Sequence, residues 1–255
     1  MPRYFIELTY KGTSFAGFQI QNNALTIQGE INRALKTVLH EEIQTTTASR
    51  TDAGVHANQN YLHFDFSGTI TSKTIYNLNC IISDDILIQN IFLVSDLSHS
   101  RFDAISREYD YFISPTRNPF VRETSYFYPV KLDLEKLNQA ALILKATTDF
   151  TSFAKRHSDV NNFNCKIEKI SWALNRDQQI VFNVVSNRFL RGMVRALVAT
   201  QILVGRNKIS LNDFENIINS KDCSNADFSA PAKGLFLQKV NYPASLLMET
   251  IDHSY

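Results

Sequence analysis

The chain of 255 residues carries 26 Lys and Arg against 25 Asp and Glu, with 44% hydrophobic and 20% charged residues and only 8 Gly and 6 Pro. This composition excludes a fibre, a disordered chain and a uniformly basic nucleic-acid binder, and leaves room for one large domain or two of roughly 100 to 150 residues. The longest apolar run, Ala140 to Leu144, falls far short of the roughly 20 residues that cross a bilayer, so neither a membrane span nor a signal peptide is expected.

Residues Arg3 to Tyr10 place Tyr4, Ile6, Leu8 and Tyr10 on one side of a predicted first strand. Thr26 is suited to cap a helix whose Ile27, Ile31, Ala34, Leu35 and Val38 follow helical spacing, and the β-branched run Ile43 to Ala48 predicts a strand. Alternation at Leu62, Phe64 and Phe66, a helix over Lys73 to Ile82 and a strand over Ile86 to Val94 complete a β-α-β-β-α-β order.

A similar order returns downstream. Strands are predicted at Arg107 to Ile113, Cys165 to Leu174, Ile180 to Val185 and Gly234 to Val240, with a helix capped by Asp133 and a short one opened by the capping-box pattern at Ser210 to Asp213. A long helix over about Arg188 to Val204, ended by Gly205, sets Arg188, Arg191 and Arg195 on one stripe opposite Leu190, Met193, Val194 and Leu197. Mixed strands and helices without strict alternation predict an α+β chain of two halves with antiparallel sheets. Cys80, Cys165 and Cys223 form no CxxC, which predicts neither a disulfide framework nor a zinc site and fits a reducing, cytoplasmic compartment.

Chemistry concentrates at Ser49-Arg50-Thr51-Asp52-Ala53-Gly54-Val55-His56-Ala57, which breaks two strand patterns with an acid, a base, a glycine and a histidine. The residues alone allow two readings, a functional loop with an approachable carboxylate or a hairpin turn built on Asp52 and Gly54. No Walker-type loop, HExxH or other metal-ligand cluster accompanies it, so no metal or nucleotide cofactor is expected.

The segment Arg50 to Ala57 does not stand alone. With Tyr10 to Gln19, His99 to Ala104, Arg107 to Tyr111, Asp149 to Phe153, Phe189 to Arg195 and Ala232 to Leu237, it resembles, in order, the motifs of the TruA family of tRNA pseudouridine synthases. The chain departs from the family pattern at Phe18, where Trp is common, at Ser49, where Gly is common, and at Ile81-Ile82-Ser83, where Asn-Leu-Pro is usual.

The resemblance implies two ferredoxin-like halves, residues 1–105 and 106–255, that share a largely antiparallel sheet, with helices on one face and a basic cleft between them. It implies a cofactor-free isomerase, a homodimer that grips tRNA and modifies uridines 38, 39 and 40 of the anticodon arm. In that reading Asp52 is the catalytic carboxylate, Arg195 its ion-pair partner, and Tyr109 the ring that stacks on the target uracil and serves proton transfer. Arg50 assists the flipped nucleotide. Arg188, Arg191, Lys11 and Arg101 contact substrate, and Arg107, Lys155, Arg156, His157 and Lys233 are further phosphate candidates. Whether the reaction passes through an adduct at C1′ or a glycal stays open. Two rival readings are a non-catalytic RNA-binding relative and a hydrolase or phosphotransferase, which needs an acidic metal cluster around Asp52, whose nearest downstream acid is Asp65.

Overall fold

The computed structural model describes residues 1–156, 160–247 and 249–250. His157 of the predicted basic set lies outside the described residues. The chain is α+β with mostly antiparallel strands and forms two compact units, one of residues 1–105 together with the segment from Leu237 onward, the other of Ser106–Phe236.

In the first unit, β1 (Arg3–Tyr10) runs antiparallel to both β3 (His56–Asp65) and β4 (Ile86–Val94). The Leu237–Asn241 portion of β9 (Leu235–Asn241) adjoins β3, and β10 (Glu249–Thr250) adjoins β4. β1 is buried on both faces, which its alternation did not reveal. Tyr4, Ile6 and Leu8 share one face, while Phe5 and Glu7 are covered on the other. Glu7 tolerates that burial because the Gln59 and Asn90 amides donate to its two carboxylate oxygens at 2.5 and 2.7 Å. The β-branched run at 43–48 pairs as a strand only at β2 (Thr46–Thr47), against His63 and Leu62. Helices α1 (Ile27–Leu39), with Thr26 Oγ1 accepting from Gly29 N, and α2 (Ser72–Ile81), with a Thr71–Thr74 capping box, pack on each other.

In the second unit, β5 (Ser106–Ser114), β8 (Ile180–Ser186) and β7 (Ile167–Leu174) are antiparallel in that spatial order, and the short β6 (Tyr126–Phe127) runs parallel to β5. Helix α3 (Leu134–Ala146), capped by Asp133, packs on β7 and on α4 (Met193–Gly205). α5 (Leu211–Ser220) follows with the expected Ser210–Asp213 capping box.

Two features of α4 correct the sequence reading. The helix begins at Met193, so Arg188 and Arg191 precede it and the predicted arginine stripe does not form. Gly192 adopts φ 72°, a left-handed conformation that turns the chain, and the Arg191 carbonyl accepts from Lys155 N at 3.0 Å instead of from the helix. Gly205 is the last helical residue, not a terminator. A Cβ there would lie 2.9 Å from Leu137 of α3, so its smallness lets the two helices approach.

Candidate active site

The segment from Ser49 to Val55 links β2 to β3 at the end of the sheet where β1 also finishes. Its backbone is held from below by buried polar side chains. Tyr10 OH lies 2.8 Å from Thr51 Oγ1, and Asn60 Nδ2 donates to Tyr10 OH at 3.3 Å and to the Ser49 carbonyl at 3.0 Å. Asn60 is wholly buried, so this network fixes the loop without solvent competition. Val55 N donates to Asp52 O at 3.1 Å, closing a tight turn in which Gly54 takes φ 77°. Asp52 is left half-buried and Arg50 exposed.

The same loop explains two glycines of the Tyr10 to Gln19 segment. A Cβ on Gly12 would stand 2.0 Å from the Val55 carbonyl oxygen, and Gly17, at φ 105°, has Thr51 O and Ala53 N within 3.2 Å of its missing Cβ. Phe18 N donates to Thr51 O at 3.1 Å. Backbone therefore lies directly on backbone, and the aspartate loop is seated in a cradle that side chains would fill. Phe18, fully buried against Tyr10 at 5.7 Å, fills the position where a larger aromatic is common in the resembled family.

His56 faces inward. It is 1% exposed, and its Nδ1 accepts from Gly12 N at 3.1 Å, which requires the neutral ring with its proton on Nε2. It thus braces the loop against the cradle. Lys11 is half-buried, with its backbone N bonded to Asp85 O at 2.9 Å. Arg101 is exposed and its guanidinium lies over the Phe102 ring at 5.7 Å. That segment is anchored by Ser100, whose N donates at 3.2 Å to Nδ1 of the buried His63.

In the second unit, Tyr109 on β5 is 8% exposed and meets Phe189 edge-on at 5.0 Å. Arg107, on the same strand, is nearly buried and donates to the Asn187 carbonyl at 3.1 Å. Arg188 is half-buried and near Cys165, whose thiol burial pushes up to about 11 against the opposing Arg188 cation. Arg191 is exposed.

Arg195, on the first turn of α4, is half-buried and donates from Nε to the Ala230 carbonyl at 2.6 Å. The adjacent carbonyl, of Pro231, accepts from Tyr111 OH at 2.8 Å, and a Cβ on Gly234 would stand 2.8 Å from the Tyr111 ring. Strand, helix and the 230–234 turn are thereby tied at one point. Burial raises the Tyr111 phenol well above its ordinary range, with the Arg195 cation pulling the other way.

The structure thus gathers Lys11, Arg50 and Asp52 around one loop cradle in the first unit, and Arg107, Tyr109 and Phe189 around the end of β5 in the second. Lys155 and Arg156 are exposed, while Lys233 donates to the Arg122 carbonyl at 2.8 Å. Asp149 to Phe153 serves packing: Asp149 accepts from Thr151 N and Oγ1, and Ser152 Oγ donates to Ile217 O of α5 at 2.7 Å. Sequence reasoning missed Asn60 and the Ala230–Pro231 carbonyls. Asn60 had a signal, a polar residue before the apolar stretch Tyr61 and Leu62; the carbonyls had none. Among the described residues, no group of three or more His, Cys, Asp or Glu side chains is placed to hold a metal ion.

Comparison with known proteins decides the family. A family model described as tRNA pseudouridine synthase matches residues 140–243. The protein named tRNA pseudouridine synthase A of Porphyromonas gingivalis is 41% identical over 97% of this chain and 100% of its own length. The chain belongs to the tRNA pseudouridine synthase family.

Other members bearing that name include one from Bacteroides fragilis, 42% identical over 96% of this chain and 98% of its own, and one from Staphylococcus aureus, 36% identical over 93% and 91%. The family-model match runs from the middle of α3 to just past β9 and so includes Arg195 and the 230–234 turn, whereas the full-length relatives also align with the region of the aspartate loop. Among solved structures, a partial Cas6-RT-Cas1–Cas2 complex aligns over 81% of this chain and 44% of its own at TM-score 0.23 and 11% identity, too low to bear on the fold.

Proposed function

We propose that the chain isomerises uridine to pseudouridine in tRNA, at positions 38, 39 and 40 of the anticodon arm. The N1–C1′ bond breaks, the uracil turns, C5 bonds to C1′, the C5 hydrogen leaves to solvent and N1 takes up a proton, so composition is unchanged. Asp52 is the carboxylate that drives bond cleavage, Arg195 the cation that keeps it ionised among phosphates, and Tyr109 the ring against the uracil. Arg50, Lys11, Arg101, Arg188 and Arg191 hold the substrate backbone.

The observation that carries this reading is the cradle. Gly12 accepts backbone at a distance no side chain permits, Gly17 takes a left-handed φ of 105° with backbone 3.1 Å from its missing Cβ, and together they seat a loop whose aspartate is half-exposed above a buried polar network, in a chain 41% identical to a named synthase. The two halves, 1–105 with the aspartate loop and 106–255 with the tyrosine strand and arginine helix, act in this proposal as ferredoxin-like partners sharing a sheet, with a basic cleft for the RNA and a homodimer in the cytoplasm. The test is tritium release from tRNA labelled at uridine C5, with purified protein and no added metal or nucleotide. Release matched to modified anticodon-arm positions supports the proposal; none, from protein that binds tRNA, favours the non-catalytic relative.

A further inference from the structure

The connection from β5 to β6, residues 115–125, holds the most exposed large apolar side chain among the described residues, Phe120 at 93%. It does not dangle. Phe120 N donates to Asn118 Oδ1 at 2.9 Å, Val121 N to Asn118 O at 3.3 Å, and the buried Ser125 donates from Oγ to Val121 O at 2.8 Å. Lys233 Nζ clamps the far side through the Arg122 carbonyl at 2.8 Å. These bonds hold the backbone of the turn, so the ring projects into solvent from an ordered support and binding need not order the loop itself.

Arg117 and Arg122 flank it in the chain. Arg117 lies over the Phe127 ring at 5.4 Å, Arg122 has 75% of its side chain exposed, and two acids are close by, Glu123 at 3.8 Å from Arg122 and Asp227, whose charge acts on Tyr126. Just beyond, Arg206 covers Tyr128 at 5.8 Å. Aromatic faces interleaved with guanidinium groups fit a polyanion that carries flat apolar faces. A second copy of this chain fits less well, since a twofold contact would set this cationic patch against itself.

We propose that the Arg117–Phe120–Arg122 loop binds an unpaired stretch of the substrate tRNA, Phe120 stacking on a base and the two arginines meeting phosphates. None of these residues belongs to the reacting set. The inference rests on the tRNA reading above, and its test separates the two.

Binding of full-length tRNA is measured at two salt concentrations for the wild-type chain, Phe120→Ala and Arg117→Ala/Arg122→Ala. Phe120→Ala should weaken affinity about tenfold with an unchanged salt slope, and the double variant should flatten the slope by about 1 to 2. Phe120→Trp should keep wild-type affinity and add an exposed emission, beside that of the buried Trp172, which tRNA quenches. Wild-type affinity and slope in all variants overturns the proposal, as does loss of a dimer in sedimentation with affinity unchanged, which assigns the loop to a second copy. Tritium release decides the isomerase reading separately. Release with unweakened variants overturns the loop contact alone; weakened variants without release leave the contact standing and remove the isomerase.

Discussion

The carbonyl oxygen of Val55 occupies the place where a side chain on Gly12 would begin, 2.0 Å from the ideal Cβ position. Because the obstacle is backbone, no rotamer change relieves it. Gly12→Ala should shift the aspartate loop, lower turnover at least tenfold and destabilise the fold by about 1–3 kcal/mol. Tritium release and urea unfolding check both, and a variant with wild-type turnover would show that the cradle does not fix Asp52.

The Arg195–Ala230 and Tyr111–Pro231 bonds predict a split between chemistry and binding. Arg195→Ala should reduce kcat at least a hundredfold while tRNA affinity stays within a few fold, because the proposed partner of the guanidinium is a catalytic carboxylate. Tyr111→Phe loses only the bond to Pro231 O, worth about 1 kcal/mol of stability, and should lower kcat several fold with KM unchanged. Equal losses in kcat and affinity for Arg195→Ala would make it a phosphate contact instead.

Acid should destabilise the first unit through His63. Its ring is buried, Nδ1 accepts from Ser100 N at 3.2 Å, and desolvation with the nearby Arg3 and His99 lowers its pKa to about 4, despite the opposing Asp65 and Asp103. The folded value lies below the unfolded value of about 6.5, so the unfolded chain binds more protons between them and stability falls as pH drops through that window. The Arg3–Asp65 pair, at 2.7 Å, adds a loss in the same direction at lower pH, since Asp65 is held below the usual carboxylate range. Unfolding free energies at pH 7 and pH 5 should differ for the wild-type chain and differ less for His63→Asn. Equal pH dependence in both would remove His63 as the cause.

Much of this was readable in the sequence for local reasons. The caps Thr26, Asp133 and Ser210 and the strand Ile86–Val94 follow from side-chain chemistry and spacing within a few residues, and they lie where expected. The start of α4 was not readable, because a glycine inside a helical apolar pattern fits an interior position as well as the left-handed turn that Gly192 makes. Gly205 misled for a related reason: its purpose is contact with Leu137, which only the packed helices reveal. The aspartate loop stood out by composition. The groups that hold it, Tyr10, Asn60 and the two glycines of the cradle, lie about 40 residues before it or on the next strand, and their relation to it is a product of sheet register.

The central claim is that Asp52 supplies the reacting carboxylate, and replacing one oxygen by nitrogen tests it most directly. Asp52→Asn preserves shape while removing the charge. Incubated in excess with tRNA tritiated at uridine C5, the wild-type chain should release tritium from the anticodon-arm uridines, and the verified Asn variant should release none above background while binding the same tRNA within a few fold. Pseudouridine formation by the Asn variant at a substantial fraction of the wild-type rate would contradict the account.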